Sequence, residues 1–169
     1  MRQATSKKGF TLVELLLYIG LVVIILLAVV QLLAVMFQSR IKHQVITEVE
    51  EQGMLVIQRI IQSIRNADAI LSPTIGGVSS SLSLNVVGAS NDPTVFSAVS
   101  GVAQITEGVS SPVTLTAGKV SVSNLRFQNL SKTGTPGIIR IDFTLTYVNA
   151  TGRQEYEYSK HFFASASLR

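Results

Sequence analysis

The sequence contains no cysteine, and this absence excludes several classes of site at once. Disulfide frameworks, iron–sulfur sites, thiol nucleophiles and lipid-modified cysteine anchors all require a thiol. An oxidising compartment is still compatible with the composition, because such compartments permit disulfides without requiring them.

Histidine is nearly as scarce, and no pattern typical of an active site occurs. His43 and His161 have no second imidazole and no thiolate nearby in sequence, so no zinc site is predicted. The Gly76-Gly77 pair lacks the lysine and helix context of a phosphate-binding loop, and there is no G-x-S-x-G elbow. The acids Asp68, Asp92 and Glu107 are too scattered for a calcium loop. We therefore predict no enzymatic activity, no metal and no cofactor.

Charged residues are also few, at 14% of the chain, and the mean hydropathy of +0.41 is too high for an ordinary soluble domain. The excess lies in one run of 23 residues from Leu15 to Phe37, in which only Gly20 and Gln31 are not apolar. As a helix this run would measure roughly 34 Å, enough to cross a hydrocarbon core of about 30 Å. The sequence therefore predicts one membrane-spanning helix.

Two common kinds of N-terminal apolar segment, the secretory signal peptide and the membrane anchor, can be compared with this run. A secretory signal peptide has an apolar region of about 7–15 residues followed by small residues; this run is longer and is followed by Gln38–Arg40. An ordinary anchor fits the length, and Arg2, Lys7 and Lys8 would keep the N-terminus cytoplasmic. Neither interpretation explains the carboxylate that precedes the run.

That carboxylate belongs to Glu14, at the edge of the apolar segment. An ionised side chain at the bilayer centre costs about 2.5–3.5 kcal/mol on insertion scales, so Glu14 needs a partner or a shallow position. A cut between Gly9 and Phe10 would create an α-amine four residues before it, at the start of the same helix. The helix dipole and this ammonium would then both favour the charged carboxylate.

The segment Lys7–Leu16, KKGFTLVELL, resembles the leader and first residues of a type IV prepilin. The resemblance implies that a membrane aspartyl peptidase, the prepilin peptidase, cuts after Gly9 and methylates the amine of Phe10. It also implies that Glu14 pairs with the N-terminal amine of a neighbouring subunit during assembly. The alternative for Glu14 is a first-turn acid neutralised by its own helix end.

Shorter segments are similar to minor pseudopilins of the J type and minor pilins of the W type. These segments are Glu51–Gly53, Ile64–Ala67 and the stretch from Val122 to the strand bounded by Pro136. The sequence departs from major pilins because it lacks a cysteine pair near the C-terminus and has Gln31 in the membrane segment. The resemblance therefore favours a minor pilin or pseudopilin.

The resemblance implies a structural subunit of a type IV pilus or of a type II secretion-like filament. Its partners would be other pilin-like subunits, the prepilin peptidase, an inner-membrane assembly platform and membrane lipid. The chain would first span the inner membrane with its head outside the cytoplasm, and later enter a periplasmic or extracellular filament. A membrane-anchored adhesin or DNA-uptake protein with the same anchor is the alternative.

Nucleic acid is not predicted as a partner from the charge. Loss of residues 1–9 removes Arg2, Lys7 and Lys8, which lowers Lys+Arg from 14 to 11 against 10 Asp+Glu and leaves a net charge of +1. A surface that binds a phosphate backbone is much more basic.

The predicted fold class is α+β, with a long N-terminal helix packed against a C-terminal antiparallel β-sheet head. We expect residues 1–9 to be a cleaved leader, 10–37 a transmembrane helix, 38–71 its amphipathic extension and 72–169 a β-rich extracytoplasmic head domain. Apolar residues recurring every three or four positions define one stripe on the extension. The stripe contains Ile41, Val45, Val49, Gly53, Val56, Ile60, Ile64, Ala67 and Leu71.

Within the stripe, Gly53 is unusual because glycine costs roughly 1 kcal/mol relative to alanine in a helix interior. It is either a point of close packing or a soft spot for bending, or it is merely tolerated. Ser72-Pro73 is the predicted stop of the helix, since proline disfavours helical geometry in the residue before it.

The head is predicted to contain loops and short strands followed by clearer strand sequence. Leu82, Leu84 and Val86 alternate as one strand, and residues 139–147 alternate strictly between apolar and polar. After a turn at residues 149–152, Tyr156, Tyr158 and Phe162 are expected to complete an antiparallel hairpin. A change of apolar parity predicts a bulge at Ser123-Asn124.

Overall fold

The computed structural model describes Gly9 and residues 11–169, which form two compact units that meet between Arg40 and Ile41. One helix, α1, covers Leu12–Arg65, and a short 3-10 helix covers Gln154–Tyr156. The strands are β1 (Ala67–Ser72), β2 (Val78–Ser79), β3 (Leu82–Val86), β4 (Thr94–Val99), β5 (Val102–Glu107), β6 (Val113–Thr114), β7 (Val120–Asn129), β8 (Ile138–Tyr147) and β9 (Ser159–Ser167). The predicted α+β class is confirmed.

The first unit consists of the apolar part of α1. Its most apolar 18-residue window has a mean hydropathy of 3.1, and none of that window is buried within the protein. The large apolar side chains from Leu12 to Phe37 are exposed. This helix is long and apolar enough to span a membrane, which is consistent with a single-pass membrane protein.

In the second unit, α1 buries the predicted stripe. Six of its positions, from Val45 to Ile64, are buried, and Gln52 and Ile57 widen the buried face. Five of the buried residues share one apolar core with the strands, namely Val49, Val56, Ile57, Ile60 and Ile64. The spacing of three and four residues therefore predicted the face of the helix that contacts the sheets.

The helix ends earlier than its apolar pattern predicts. We expected it to continue to Leu71, but it ends at Arg65, and Ala67–Ser72 form β1. Strand β1 pairs antiparallel with β3, opposite residues such as Val86, so β3 supplies partners for its backbone. Ala67 is buried in this strand, as it would have been on the helical stripe, whereas Leu71 is 51% exposed. Ala67, three residues after the buried Ile64, would be buried both in a continuing helix and in strand β1. The apolar spacing therefore could not distinguish the two and predicted the helix to be too long.

The strands form two antiparallel sheets. The first has the order β1-β3-β4-β5-β6, and the second has the order β2-β7-β8-β9. Buried side chains of both sheets and of α1 belong to one core. The loop from β4 to β5 links the sheets, because the amide of Val122 in β7 donates to the carbonyl of Gly101 at 2.7 Å.

The first sheet is more regular than the sequence predicted. The β3 strand was expected, but β4 and β5 lie in a stretch assigned to loops and short strands. They form a hairpin through Ser100 and Gly101, whose φ angles of 52° and 77° lie in the left-handed region. Two successive positive φ angles are typical of a two-residue hairpin turn. The Ser-Gly step between two short runs rich in apolar and β-branched residues was the signal that could have revealed this hairpin.

The second sheet follows the predictions more closely. Strand β8 contains the predicted alternation, with Ile139, Ile141, Phe143 and Leu145 buried. The register of β7 against β8 shifts between Ser123 and Arg126, where two residues of β7 face one of β8. Asn124 has a φ of 54°, so the predicted bulge is confirmed.

The hairpin after β8 is confirmed, but its second strand begins later than predicted. Tyr156 belongs to the 3-10 helix and Tyr158 precedes β9, which begins at Ser159. Phe162 lies in β9 and is buried, as expected. Tyr156 instead stacks on Tyr147, with ring centroids 6.1 Å apart and the planes inclined by 24°. The 3-10 helix thus places the Tyr156 ring against Tyr147 at the end of β8.

Gly53 is a point of close packing. A Cβ atom at this position would lie 2.2 Å from the Cζ atom of Phe162. The Phe162 ring in turn stacks on Phe143, with centroids 5.4 Å apart and an interplanar angle of 15°. Because Phe143 is fully buried, the Phe162 ring has little room to retreat. Of the interpretations of Gly53, mere tolerance is therefore wrong and close packing is confirmed.

Two ion pairs connect α1 to the sheets. Arg59 lies 3.1 Å from Glu107 of β5 in the first sheet, and Glu50 pairs with Lys160 of β9 in the second. All four side chains are at least a third exposed, so water and salt screen each pair and its contribution to stability is small. The pairs fix the rotation of the helix more than they stabilise it.

We expect Gly53→Ala to lower the free energy of unfolding by about 1–3 kcal/mol, the usual cost of overpacking. This cost should exceed the gain of about 1 kcal/mol that alanine brings to a helix interior. Denaturant unfolding of the detergent-solubilised protein measures the change. Gly20→Ala is the matched control, because no atom lies within 4 Å of its added Cβ. If Gly53→Ala lowers the free energy of unfolding by the same amount in a Phe162→Leu variant, contact with the Phe162 ring is not the cause of the destabilisation.

The Glu50–Lys160 pair predicts a pH dependence. The hydrogen bond to Glu50 raises the pKa of Lys160 above its ordinary value of 10.5, against a smaller opposing effect of desolvation. A raised pKa in the folded state stabilises the protein below pH 10.5 and ceases to do so as the pH rises through the folded-state value. The stability difference between wild type and Glu50→Gln should therefore be constant from pH 8 to 10 and shrink above pH 10.5. A difference that grows above this pH would contradict the assignment.

Candidate functional site

The start of α1 is the candidate site, and its geometry is set by Thr11. Helix α1 begins at Leu12, so Thr11 is the N-cap residue. Its hydroxyl oxygen accepts a hydrogen bond from the amide of Glu14 at 3.3 Å, and its carbonyl accepts one from Leu15 at 3.2 Å. Two amides of the first turn thereby find acceptors within the chain itself.

Thr11 and Glu14 have the T-x-x-E spacing of a capping box. Our sequence reasoning did not use this signal, although it is readable from the sequence and fixes the first turn. The Glu14 side chain is exposed, and its carboxylate has no ion-pair partner within the described part of the chain. The structure therefore presents an acid at the positive end of the helix dipole.

The predicted cleavage site lies just before this cap. Gly9 is exposed, and a Cβ at its position would have no neighbour within 4 Å. Phe10, the predicted site of N-methylation, lies outside the described residues. After Glu14 the next charged residue in the sequence is Arg40, so one carboxylate is the sole charge on this part of the helix.

The residues that sequence analysis rejected as metal ligands do not come together. No group of three potential metal ligands occurs among Gly9 and residues 11–169. His161 lies 3.9 Å from Asp142 and stacks on Phe163, while His43 is exposed on α1.

The acids of the predicted loop region have protein partners. Asp92 accepts a hydrogen bond from the amide of Val86 at 3.3 Å, and Glu107 pairs with Arg59. Both carboxylates therefore have structural roles.

A recess at the beginning of the second unit was not predicted. Its volume is about 550 Å³, within the range of about 300–1,000 Å³ typical of small-molecule sites. One wall is the α1 segment Ile41–Glu51, and the other contains Lys119, Tyr147 and Tyr156. These residues are far apart in sequence, and no local motif could have indicated that they meet.

Comparison with protein families, curated proteins and solved structures returns no match for this chain. Any functional conclusion therefore rests on the residues and geometry described above.

Because the loop acids have protein partners, we expect folding of the second unit to need no metal. The thermal unfolding midpoint of a soluble fragment beginning at Gln38 should not change when a chelator is added. A large fall in the midpoint would contradict this expectation, and the region around Asp92 and Glu107 would be the first place to search for the missing ion.

Proposed function

We propose that this chain is a structural subunit of a type IV pilin-like filament, of the minor pilin or pseudopilin kind. In this proposal the prepilin peptidase removes residues 1–9, Phe10 becomes the methylated first residue, and α1 holds the subunit in the inner membrane before assembly. The observation that carries the proposal is the junction of a Gly-Phe step, a capped helix start at Thr11 and a single carboxylate at Glu14. The proposal is supported by the stretch of α1 that follows, which is strongly apolar and carries no charge until Arg40.

The size of the competing energies favours an intersubunit partner for Glu14. An acid near a helix N-terminus gains about 0.3–1 kcal/mol from the dipole. An ionised side chain at the centre of a hydrocarbon phase costs about 2.5–3.5 kcal/mol. In a bundle of apolar helices the dipole alone would leave Glu14 under-compensated, and the amine of a neighbour's Phe10 supplies the missing positive charge.

A charge pair would also define the register between subunits. The exposed face from Leu15 to Phe37 is nearly uniform, so van der Waals packing distinguishes poorly between axial positions. One carboxylate and one amine per subunit select a single position. The β-rich second unit would then follow α1 out of the membrane as the displayed part of the subunit.

The β-rich unit has a structural role in this proposal and performs no catalysis. Its tie to α1 through Gly53 and Phe162 means that the helix serves both as anchor and as part of the head's core. A pull on the helix would therefore move the head with it, as assembly into a filament requires.

Glu14→Gln tests the proposal directly, because it keeps the shape of the side chain and removes its charge. We expect membrane insertion and leader removal to persist while incorporation into filaments falls at least about tenfold, since hydrogen bonds to charged groups contribute about 1.5–3 kcal/mol. Quantitative immunoblotting of sheared filaments, with the membrane-held pool measured in parallel, gives the ratio.

Thr11→Ala is the matched control, because it removes the helix cap and leaves the carboxylate. It costs about 1 kcal/mol of helix stability and should leave incorporation near the normal level. If the two variants lose incorporation equally, Glu14 acts through the end of its own helix. If neither variant loses incorporation, the intersubunit role is wrong, and a membrane-anchored binding protein becomes the better description.

A further inference from the structure

Two segments of the chain have the N-x-S/T spacing of an acceptor for N-linked glycosylation. They are Asn129-Leu130-Ser131, which begins at the last residue of β7, and Asn149-Ala150-Thr151, which follows β8. The transferase must reach the side-chain amide of the asparagine, so an acceptor in a folded protein lies in a surface loop. The spacing is the same in both segments, and the fold decides which of them meets this requirement.

The local conformation does not distinguish the two segments. The amide of Ser131 donates to Oδ1 of Asn129 at 3.0 Å, and the Ser131 hydroxyl donates to the same oxygen. The amide of Thr151 donates to Oδ1 of Asn149 at 3.3 Å, and the Thr151 hydroxyl donates to it at 3.2 Å. Both asparagines therefore form the turn in which a side-chain oxygen accepts from the residue two positions later.

Asn129 is buried and fully engaged. Its side chain is 3% exposed, and Nδ2 donates a hydrogen bond to the carbonyl of Pro73 at 2.8 Å. Its backbone amide donates to the carbonyl of Gly77 at 3.0 Å. A sugar on Nδ2 has no space in such a close-packed region, and moving the side chain outward would leave the buried Pro73 carbonyl without its donor. Asn129 is therefore inaccessible while the protein is folded.

Asn149 lies in a surface loop formed by residues 148–153, between β8 and the 3-10 helix. Asn149 itself is half-buried, and the four residues after it are exposed. Within the described chain, none of the loop residues belongs to the apolar core. Nδ2 donates one of its two amide hydrogens to the carbonyl of Arg153 at 2.9 Å. Water can replace this bond at little cost, because it lies at the surface.

Both ends of this loop are fixed to the rest of the second unit. The amide of Val148 donates to the carbonyl of Lys119 at 2.9 Å. At the other end Arg153 pairs with Glu155, and its guanidinium lies 6.0 Å from the centroid of the Tyr156 ring. The segment between the two ends is therefore presented at the surface without contributing to the core.

We propose that Asn149 is an acceptor for an N-linked glycan and that Asn129 is not. The donor is an oligosaccharide carried on a polyprenyl diphosphate. Nδ2 of Asn149 forms a bond to C1 of the first sugar, the bond from C1 to the diphosphate oxygen breaks, and the lipid diphosphate leaves with the bonding electrons. Nδ2 gives one proton to a base of the oligosaccharyltransferase. In cells this modification rests on the proposed function, which places the second unit outside the cytoplasm.

The test uses the purified full-length protein in detergent, a polyprenyl-diphosphate-linked oligosaccharide and a single-subunit oligosaccharyltransferase that requires only the N-x-S/T spacing. Trypsin separates the two acceptors, because it cuts after Arg126, Lys132, Arg140 and Arg153. Mass spectrometry of peptides 127–132 and 141–153 then measures the glycan on each. We expect the glycan on peptide 141–153 to exceed that on peptide 127–132 at least about tenfold, because burial withholds Asn129.

Thr151→Ser is the matched comparison, because it makes both segments N-x-S and keeps a hydroxyl at the exposed position. The preference for Asn149 should persist in this variant, whereas Thr151→Ala should remove the glycan from peptide 141–153. Synthetic peptides of residues 124–134 and 144–154 lack the fold, so both should accept the glycan.

Equal modification of the two asparagines in the folded protein would overturn the proposal, and so would the absence of a glycan at Asn149. A synthetic Asn129 peptide that accepts no glycan would also overturn it, since burial would then not be the cause of the difference. Filament incorporation, measured with Glu14→Gln, does not depend on any of these results. A failure of the glycan proposal is therefore distinguishable from a failure of the proposed function.

Discussion

One electrostatic constraint sets the start of α1: a single carboxylate, that of Glu14, lies next to a stretch of the helix that carries no charge until Arg40. Thr11 caps the first turn and Glu14 lies within that turn, so the dipole of α1 partly compensates the charge. In water, the helix dipole and hydration together are enough to accommodate the Glu14 charge. In an apolar environment the dipole alone does not compensate the cost of the charge, and the carboxylate then needs a cation from outside the described chain. In the filament that we propose, the amine of a neighbouring copy would supply this cation, and the carboxylate would serve as an assembly signal.

The second half of α1 turns the anchor into part of a folded domain. Its apolar stripe forms a common core with both sheets, and the contact between Gly53 and the Phe162 ring brings the helix backbone close to β9. Arg59 and Glu50 then pair with one sheet each, which defines the rotation of the helix. Removal of the second half of α1 would expose the inner faces of both sheets, so this part of the helix belongs to the folded domain.

The sequence predicted most of what depends on periodicity. The stripe on α1, the alternation in β8 and the bulge near Asn124 were all readable, because burial on one face imposes a fixed spacing. The end of α1 could not be read from the sequence, because Ala67 would be buried whether it lay in a helix or in a strand. The capping role of Thr11 was readable but overlooked. The recess at Tyr147 and Tyr156 could not be predicted, because it arises from elements distant in sequence.

The central claim is that the peptide bond between Gly9 and Phe10 is cut, because only that cut creates the amine that Glu14 would pair with. Intact-mass measurement of the membrane-extracted protein, from cells with and without the prepilin peptidase, tests it most directly. The account predicts loss of residues 1–9 and gain of one methyl group when the peptidase is present, and the full chain when it is absent. A protein that still begins at Met1 in the presence of the peptidase would contradict the account.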